Sequence, residues 1–76
     1  MYIIVKNKKE YDNLMTIYQD KGWHWYSGSN PKDVNLYTPT YIEYKNYFMY
    51  TPSSEIAKKY ITFSIFSRKF KMKKLL

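Results

Sequence analysis

The sequence predicts a small single-domain α+β protein, and three observations support that class. The chain has 76 residues without an internal repeat, which is the length of one domain. Short β-branched and aromatic runs, at residues 2–6 and 61–66, are typical of strands. Segments with helical spacing lie between such runs. The order predicts a βαββ(β)αβ sandwich of ferredoxin-like layout, with two helices on one face of a mainly antiparallel sheet.

The first helix is predicted from capping residues and from the spacing of its apolar side chains. Asn7 stands where an N-cap is expected, and Glu10 three residues later completes a capping-box pattern. Gly22 occupies the position of a left-handed C-terminal cap, so Trp23 is expected to fold back on the last turn. The inward stripe of this helix is predicted to be Tyr11, Leu14, Met15 and Tyr18.

A second strand is predicted within the segment Lys21-Gly22-Trp23-His24-Trp25-Tyr26-Ser27-Gly28, which holds both tryptophans and the single histidine. Because side chains alternate along a strand, Trp23 and Trp25 are expected beneath the first helix, with His24 and Tyr26 on the opposite face. A stacking platform for a base or another ligand is the alternative role for the tryptophans. A lone histidine without a neighbouring ligand is a poor metal site.

The next segment, residues 27–33, is a turn-rich loop with two readings. Ser27, Ser29 and Lys32, together with backbone N–H groups, form a candidate anion site. An ordinary connecting loop is the alternative. No glycine-rich phosphate-binding motif is present, so P-loop and Rossmann nucleotide sites are excluded.

The second half of the chain is predicted to form a hairpin, a short helix and a closing strand. The hairpin strands, residues 41–44 and 47–50, are joined by Lys45 and Asn46. A helix then begins with Thr51 as N-cap and Pro52 at its first position, and it ends near residue 60 with Ile56 and Tyr60 inward. The closing strand, residues 61–66, is expected to turn three side chains to the core: Ile61, Phe63 and Ile65.

The net charge of +7 is concentrated at the end of the chain. Without the five basic residues of this end, the formal charge is only +2. We therefore predict a domain over residues 1–66 and a basic tail over residues 67–76, which is either a solvated end or an arm that contacts anions. The basic residues of the tail are Arg68, Lys69, Lys71, Lys73 and Lys74.

Composition argues against several function classes. The absence of cysteine excludes disulfides and thiolate chemistry, and a reducing cytosol is the expected compartment. No apolar run has the length of a membrane span, so a soluble cytoplasmic protein without a cofactor is predicted. The six carboxylates are scattered and there is one histidine, so we predict that the protein is not an enzyme.

Ten tyrosines in 76 residues are more than a core of this size can hold. One sheet face is predicted to lack a helix, and tyrosine is enriched at interfaces. Either this face binds a partner or it forms a homodimer, with Tyr44, Tyr47 and Phe48 near the contact. The residues expected to compete for places on the face are Tyr26, Tyr41 or Ile42, Tyr44, Tyr47, Phe48 and Tyr50.

The order of these features resembles small accessory proteins of bacteriophages and mobile elements of low-GC Gram-positive bacteria. The resemblance covers roughly residues 2–66 and is most specific in the Lys-Gly-aromatic-x-aromatic-x-Ser-Gly-x-x-Pro segment, here residues 21–31. It implies a counter-defence protein, acting in the host bacterial cytosol, that inhibits an immune system in an anti-CRISPR-like or signal-sequestering way. The resemblance assigns no catalytic role and names no target.

Two binding hypotheses follow. In the first, the aromatic face and a few lysines bind a host immune protein or the anionic nucleotide that activates it. In the second, the tyrosine-rich face and the lysine tail bind nucleic acid, with sheet aromatics stacking on bases. The two hypotheses differ in salt response, because binding through a lysine tail weakens steeply as salt rises.

Overall fold

The α+β class is confirmed by the computed structural model, which describes the backbone of residues 1–75 and the side chains of residues 1–70. A four-stranded sheet has the order β5-β3-β1-β6, and β2 and β4 form a separate pair. A single 3₁₀ turn, Pro31–Asp33, lies between β2 and β3. The strands are β1 (Tyr2–Val5), β2 (His24–Trp25), β3 (Thr40–Glu43), β4 (Tyr47–Phe48), β5 (Tyr50–Thr51) and β6 (Tyr60–Thr62), and the helices are α1 (Lys8–Asp20), α2 (Ser54–Ala57) and α3 (Phe63–Leu75).

The main sheet is mixed, and its topology does not confirm the ferredoxin-like layout. Strand β1 is antiparallel to β3 and parallel to β6, and β3 is antiparallel to β5. Strand β2, which follows α1, lies outside this sheet and pairs with β4. Strand β2 is also short, because the chain turns directly after it: Gly28 has φ +93° and its N–H donates to the carbonyl of Trp25 at 2.7 Å. This turn ends the strand after two residues.

Helix α1 begins with the predicted cap. The Oδ1 atom of Asn7 accepts a hydrogen bond from the Glu10 N–H at 2.9 Å, and the Glu10 carboxylate accepts one from the Lys6 N–H at 2.9 Å. In the usual capping box, the carboxylate accepts from the N–H of the N-cap residue itself. Here the Glu10 carboxylate accepts instead from Lys6, the residue before the N-cap. The predicted inward stripe is confirmed, since all four of its side chains are buried: Tyr11, Leu14, Met15 and Tyr18.

The end of α1 is also as predicted. Gly22 adopts φ +76° and its N–H donates to the Gln19 carbonyl at 3.0 Å. The Trp23 N–H donates to the Tyr18 carbonyl at 3.0 Å, which completes a Schellman motif. The ring of Trp23 packs on Tyr18, as expected for a residue in this position.

The predicted two-residue hairpin is wrong. Strands β3 and β5 do pair, with Ile42 opposite Tyr50, but residues 44–49 leave the ladder between them. Within this excursion Phe48 is fully buried, 4.4 Å from the Trp25 ring and 4.6 Å from the Tyr18 ring. Burial of this ring in the core favours the longer connection over a tight turn at Lys45 and Asn46, because a fully buried aromatic side chain contributes about 1.5–3 kcal/mol.

The second helix is shorter and starts later than predicted. Its N-cap is Ser53, whose hydroxyl accepts from the Ile56 N–H, whereas Thr51 belongs to β5. The side chains expected inward are exposed: Ile56 is 64% exposed and Tyr60 is 42% exposed. The reason is that Thr51 pairs with Tyr41 in the sheet, which leaves room for only one helical turn before the next strand.

The predicted closing strand is wrong after residue 62. Strand β6 has three residues, and the Thr62 hydroxyl then accepts from the Ile65 N–H at 3.2 Å, as an N-cap does. Helix α3 buries Phe63 and Phe66, three residues apart, and exposes Ile65. The segment therefore forms a helix, despite its alternating pattern, because one helical face places Phe63 and Phe66 in the core. The helix continues past residue 67, where the tail was predicted to begin.

The core lies between the main sheet and helices α1 and α3. Trp25 is buried in it, as predicted, whereas Trp23 is only half-buried against its edge. The cluster consists of Ile3, Val5, Tyr11, Leu14, Met15, Tyr18, Trp25, Ile42, Phe48, Phe63 and Phe66.

Candidate binding surface

The small β2-β4 pair turns one side to the core and the other outward. Trp25 and Phe48 are register partners and both are buried, whereas His24 is paired with the exposed Tyr47. The Tyr26 N–H donates to the Phe48 carbonyl at 2.9 Å, which extends the pairing by one residue. Alternation therefore places His24 and Tyr26 outward, as predicted.

We call the outward residues of this pair and their exposed neighbours in the chain the outer aromatic face. His24 is half-buried, while each of the other members is about half exposed or more: Tyr26 is 73% exposed, Tyr47 56%, Met49 50% and Tyr50 49%. Exposed apolar groups on this scale are typical of interaction surfaces when they are contiguous. The face consists of His24, Tyr26, Tyr47, Met49 and Tyr50.

A cleft of about 230 Å³ opens beside Tyr26, Met49 and Tyr50, whereas His24 and Tyr47 of the face do not line it. Its buried floor is Trp25 and Phe48, with ring centroids 4.4 Å apart, and Tyr50 packs edge-on against Trp25. The Trp25 indole N–H donates to the Pro31 carbonyl at 3.1 Å, which fixes the ring. The lining contains no charged side chain: Trp25, Tyr26, Ser27, Phe48, Met49 and Tyr50.

The three side chains of the predicted anion site do not line a common cavity. The Ser27 hydroxyl donates to the Ser29 hydroxyl at 3.2 Å, and the Ser29 carbonyl accepts from the Trp25 N–H. Ser27 reaches the cleft, but Lys32 lines a different cavity of about 270 Å³ beside α1, together with Asp12. Lys32 lies within the 3₁₀ turn, Pro31–Asp33, which follows the two serines in the chain.

Two aromatic residues expected on the open face lie elsewhere. The prediction that Phe48 lies on the surface is wrong, because its side chain is fully buried. Tyr44 is half-buried, with its ring 4.9 Å from Trp23 and 5.4 Å from Phe66. The sequence prediction assumed a regular hairpin with alternating side chains. The excursion at residues 44–49 breaks that alternation, so both residues were predicted on the wrong side.

Sequence reasoning missed a group of rings around Lys21. The Nζ atom of this residue lies 5.0 Å from the Trp23 ring, 5.8 Å from the Tyr44 ring and 5.6 Å from the Phe70 ring. These distances are in the range of cation–π attraction. The rings come from three distant parts of the chain, so only the Lys21 to Trp23 spacing could have indicated any of it.

The basic residues of the C-terminal segment belong to α3. Arg68 and Lys69 are exposed, and Lys69 lines a cavity with Tyr44, Phe66 and Phe70 rather than the cleft. The side chains of the other three predicted basic residues lie outside the described part of the structure: Lys71, Lys73 and Lys74.

Two buried tyrosines have raised pKa values. Burial, with a smaller effect of Asp12, raises the pKa of Tyr11 to about 12, and its hydroxyl donates to the Val34 carbonyl. Burial also raises the pKa of Tyr18, whose hydroxyl donates to the Glu43 carbonyl at 2.8 Å. Both hydroxyls connect α1 to the rest of the fold, and a raised pKa is the opposite of what a tyrosine base would need.

The described residues contain neither a metal-ligand cluster nor a membrane-spanning helix. No three His, Cys, Asp or Glu side chains among them are grouped as a metal site would require. No helix in this part of the chain combines the length and apolarity needed to cross a bilayer.

The fold and the surface define a small α+β protein with an aromatic cleft on a two-stranded pair. Comparison with protein-family models, curated proteins and solved structures finds no match to this chain.

Proposed function

We propose that this is a non-catalytic binding protein that inhibits a partner protein by docking its outer aromatic face on it. The observation that carries the proposal is the uncharged cleft of about 230 Å³, whose lining includes three large side chains that are about half exposed or more: Tyr26, Met49 and Tyr50. In the setting implied by the sequence resemblance, the partner is a component of a bacterial immune system, met in the host cytosol.

The composition of the cleft favours a protein over an anionic nucleotide. A nucleotide phosphate needs cations or converging N–H donors, and none of the six lining residues is basic. Tyrosine, tryptophan and methionine are the residues enriched in protein interfaces. A rigid floor of Trp25 and Phe48 suits an apolar anchor side chain from the partner, because buried anchors carry most of the energy of such interfaces.

Nucleic-acid binding is the alternative, and the described charges support it less. Arg68 and Lys69 lie on α3, and Lys69 lines a cavity apart from the cleft. Binding to random oligonucleotides at low salt, weakening steeply as salt rises, would favour this alternative over the protein partner.

Site-specific photocrosslinking tests the proposal. A photoreactive phenylalanine analogue replaces Tyr47 in one variant and Tyr37 in a matched control, since Tyr37 is 99% exposed and lies outside the face. During co-expression with the host defence system, the variant at residue 47 should crosslink to one immune protein and the control should not. Crosslinks to nucleic acid alone, or equal crosslinking from both positions, would contradict the proposal.

A functional assay gives the second test. The double substitution Tyr26→Glu and Met49→Glu places two charges at the cleft, and should abolish inhibition of host defence while the melting temperature stays close to that of the parent. Tyr37→Glu is the control and should inhibit normally. Crosslinks at residue 47 to a second copy, with a mass that doubles as concentration rises, would instead assign this face to a homodimer.

A further inference from the structure

We propose a second site in this molecule, a pocket beside α3 that binds a small amphipathic anion: one aromatic or branched apolar group that carries a carboxylate or a phosphate. The pocket is lined by Met1, Tyr44, Ile61, Phe66, Lys69 and Phe70 and has a volume of about 180 Å³. The pocket shares no residue with the outer aromatic face, so this proposal does not depend on the proposed function.

The walls of the pocket fit a single ring. Tyr44 and Phe66 are in edge contact at 5.4 Å, and Phe66 stacks on Phe70 at 6.1 Å, so three of the lining side chains support each other. An apolar cavity of about 150 Å³ holds benzene. A volume of about 180 Å³ therefore suits one six-membered ring with a small substituent, and excludes a whole nucleotide.

One cation lines the pocket, and a second lies near two of its rings without lining it. Lys69 is part of the lining, and the Lys21 ammonium lies 5.6 Å from the Phe70 ring and 5.8 Å from the Tyr44 ring, both of which line the pocket. The lining includes no carboxylate. Among the described side chains, the only ion pair is Lys8 with Asp12, so neither lysine is neutralised by a described carboxylate.

Charge and shape together define the ligand. Apolar walls exclude a bare, strongly hydrated anion such as inorganic phosphate, because its desolvation would not be compensated. The Lys69 ammonium favours a negative group over a neutral one of the same shape, and the nearby Lys21 ammonium adds to this preference. The ligand that satisfies both conditions has its ring against Phe66 and Phe70, with its anionic group toward Lys69.

The test is an NMR titration of the full-length protein with three probes. These are 4-methylbenzoate, phenyl phosphate and the neutral isostere 4-methylbenzamide, followed through the backbone amide shifts of Tyr44, Ile61 and Phe70. We expect one or both anions to bind about tenfold more tightly than the amide. The anion that binds more tightly identifies the carboxylate or the phosphate as the preferred group.

Substitutions locate the charge effect. Lys69→Gln should weaken binding of the preferred anion about fivefold to tenfold and leave the affinity for the amide unchanged. Lys32→Gln is the matched control, because Lys32 is an exposed lysine of the cavity beside α1, which shares no lining residue with this pocket, and should bind as the parent does. Equal affinity for acid and amide, equal loss in both lysine variants, or no shift at about 10 mM probe would overturn the proposal.

Discussion

The N–H of Trp23 donates to the carbonyl of Tyr18 at 3.0 Å, and the rings of the two residues pack with centroids 5.1 Å apart. This relationship fixes the direction in which the chain leaves α1. Because His24 and Trp25 follow immediately, it also sets the orientation of β2 and thus the outer aromatic face. The end of one helix therefore positions the candidate binding surface.

Gly22→Ala should destabilise the protein through this same turn. An added Cβ would meet no atom within 4 Å, so the cost comes from φ +76° alone. A left-handed conformation costs a non-glycine residue about 1–2 kcal/mol. Urea unfolding should show a loss of about that size, with a smaller loss for Gly22→Asn because asparagine tolerates this region. An unchanged midpoint for Gly22→Ala would contradict the assignment.

The two tryptophans should differ in their contribution to stability. Trp25 is 5% exposed and has its indole N–H bonded, so Trp25→Ala should lower the free energy of unfolding by about 3–5 kcal/mol. Trp23 is half-buried, and Trp23→Ala should cost clearly less. Thermal melts of the two single variants measure the difference. A Trp25→Ala protein with an unchanged melt would indicate that the ring serves a ligand rather than the core.

Alkaline pH should destabilise the protein partly through Tyr11. Its pKa is raised in the folded state from 10.0 to about 12, so the neutral hydroxyl favours folding below pH 10. That contribution should be lost as pH rises from 10 through about 12, because the unfolded chain releases the proton first.

The measurement is the free energy of unfolding across that interval. Tyr11→Phe should reduce the slope with pH, while losing the hydrogen bond to Val34 at every pH. Tyr37→Phe, at an exposed position, should keep the parental slope. Identical slopes in all three proteins would rule out a role for Tyr11 in the alkaline response.

Lys58→Gly should stabilise the protein. Lys58 has φ 54° and ψ −84°, close to the strained γ-turn conformation, in which a side chain is disfavoured. Glycine adopts it freely, although its larger entropy in the unfolded chain offsets part of the gain. We expect a net gain of about 0.5–1 kcal/mol in urea unfolding. Lys59→Gly is the control without positive φ, and it should be neutral or destabilising.

The sequence by itself determined those parts of the fold that depend on neighbours in the chain. The cap at Asn7, the buried stripe of α1 and the turn at Gly22 each need only residues within about two helical turns. Strand alternation likewise predicted that His24 and Tyr26 point outward, so part of the candidate surface was predictable. These features follow from local hydrogen bonding and from side-chain direction.

Only the tertiary structure decided the rest, because some segments of the sequence fit more than one local structure. Residues 61–66 alternate as a strand does, yet Phe63 and Phe66 also share one helical face, and burial of both rings in the core selects the helix. Phe48 likewise leaves the hairpin to fill the space between Trp25 and Tyr18. The rings around Lys21 come from distant segments, so they meet only when helix α3 and the 44–49 excursion have packed as they do.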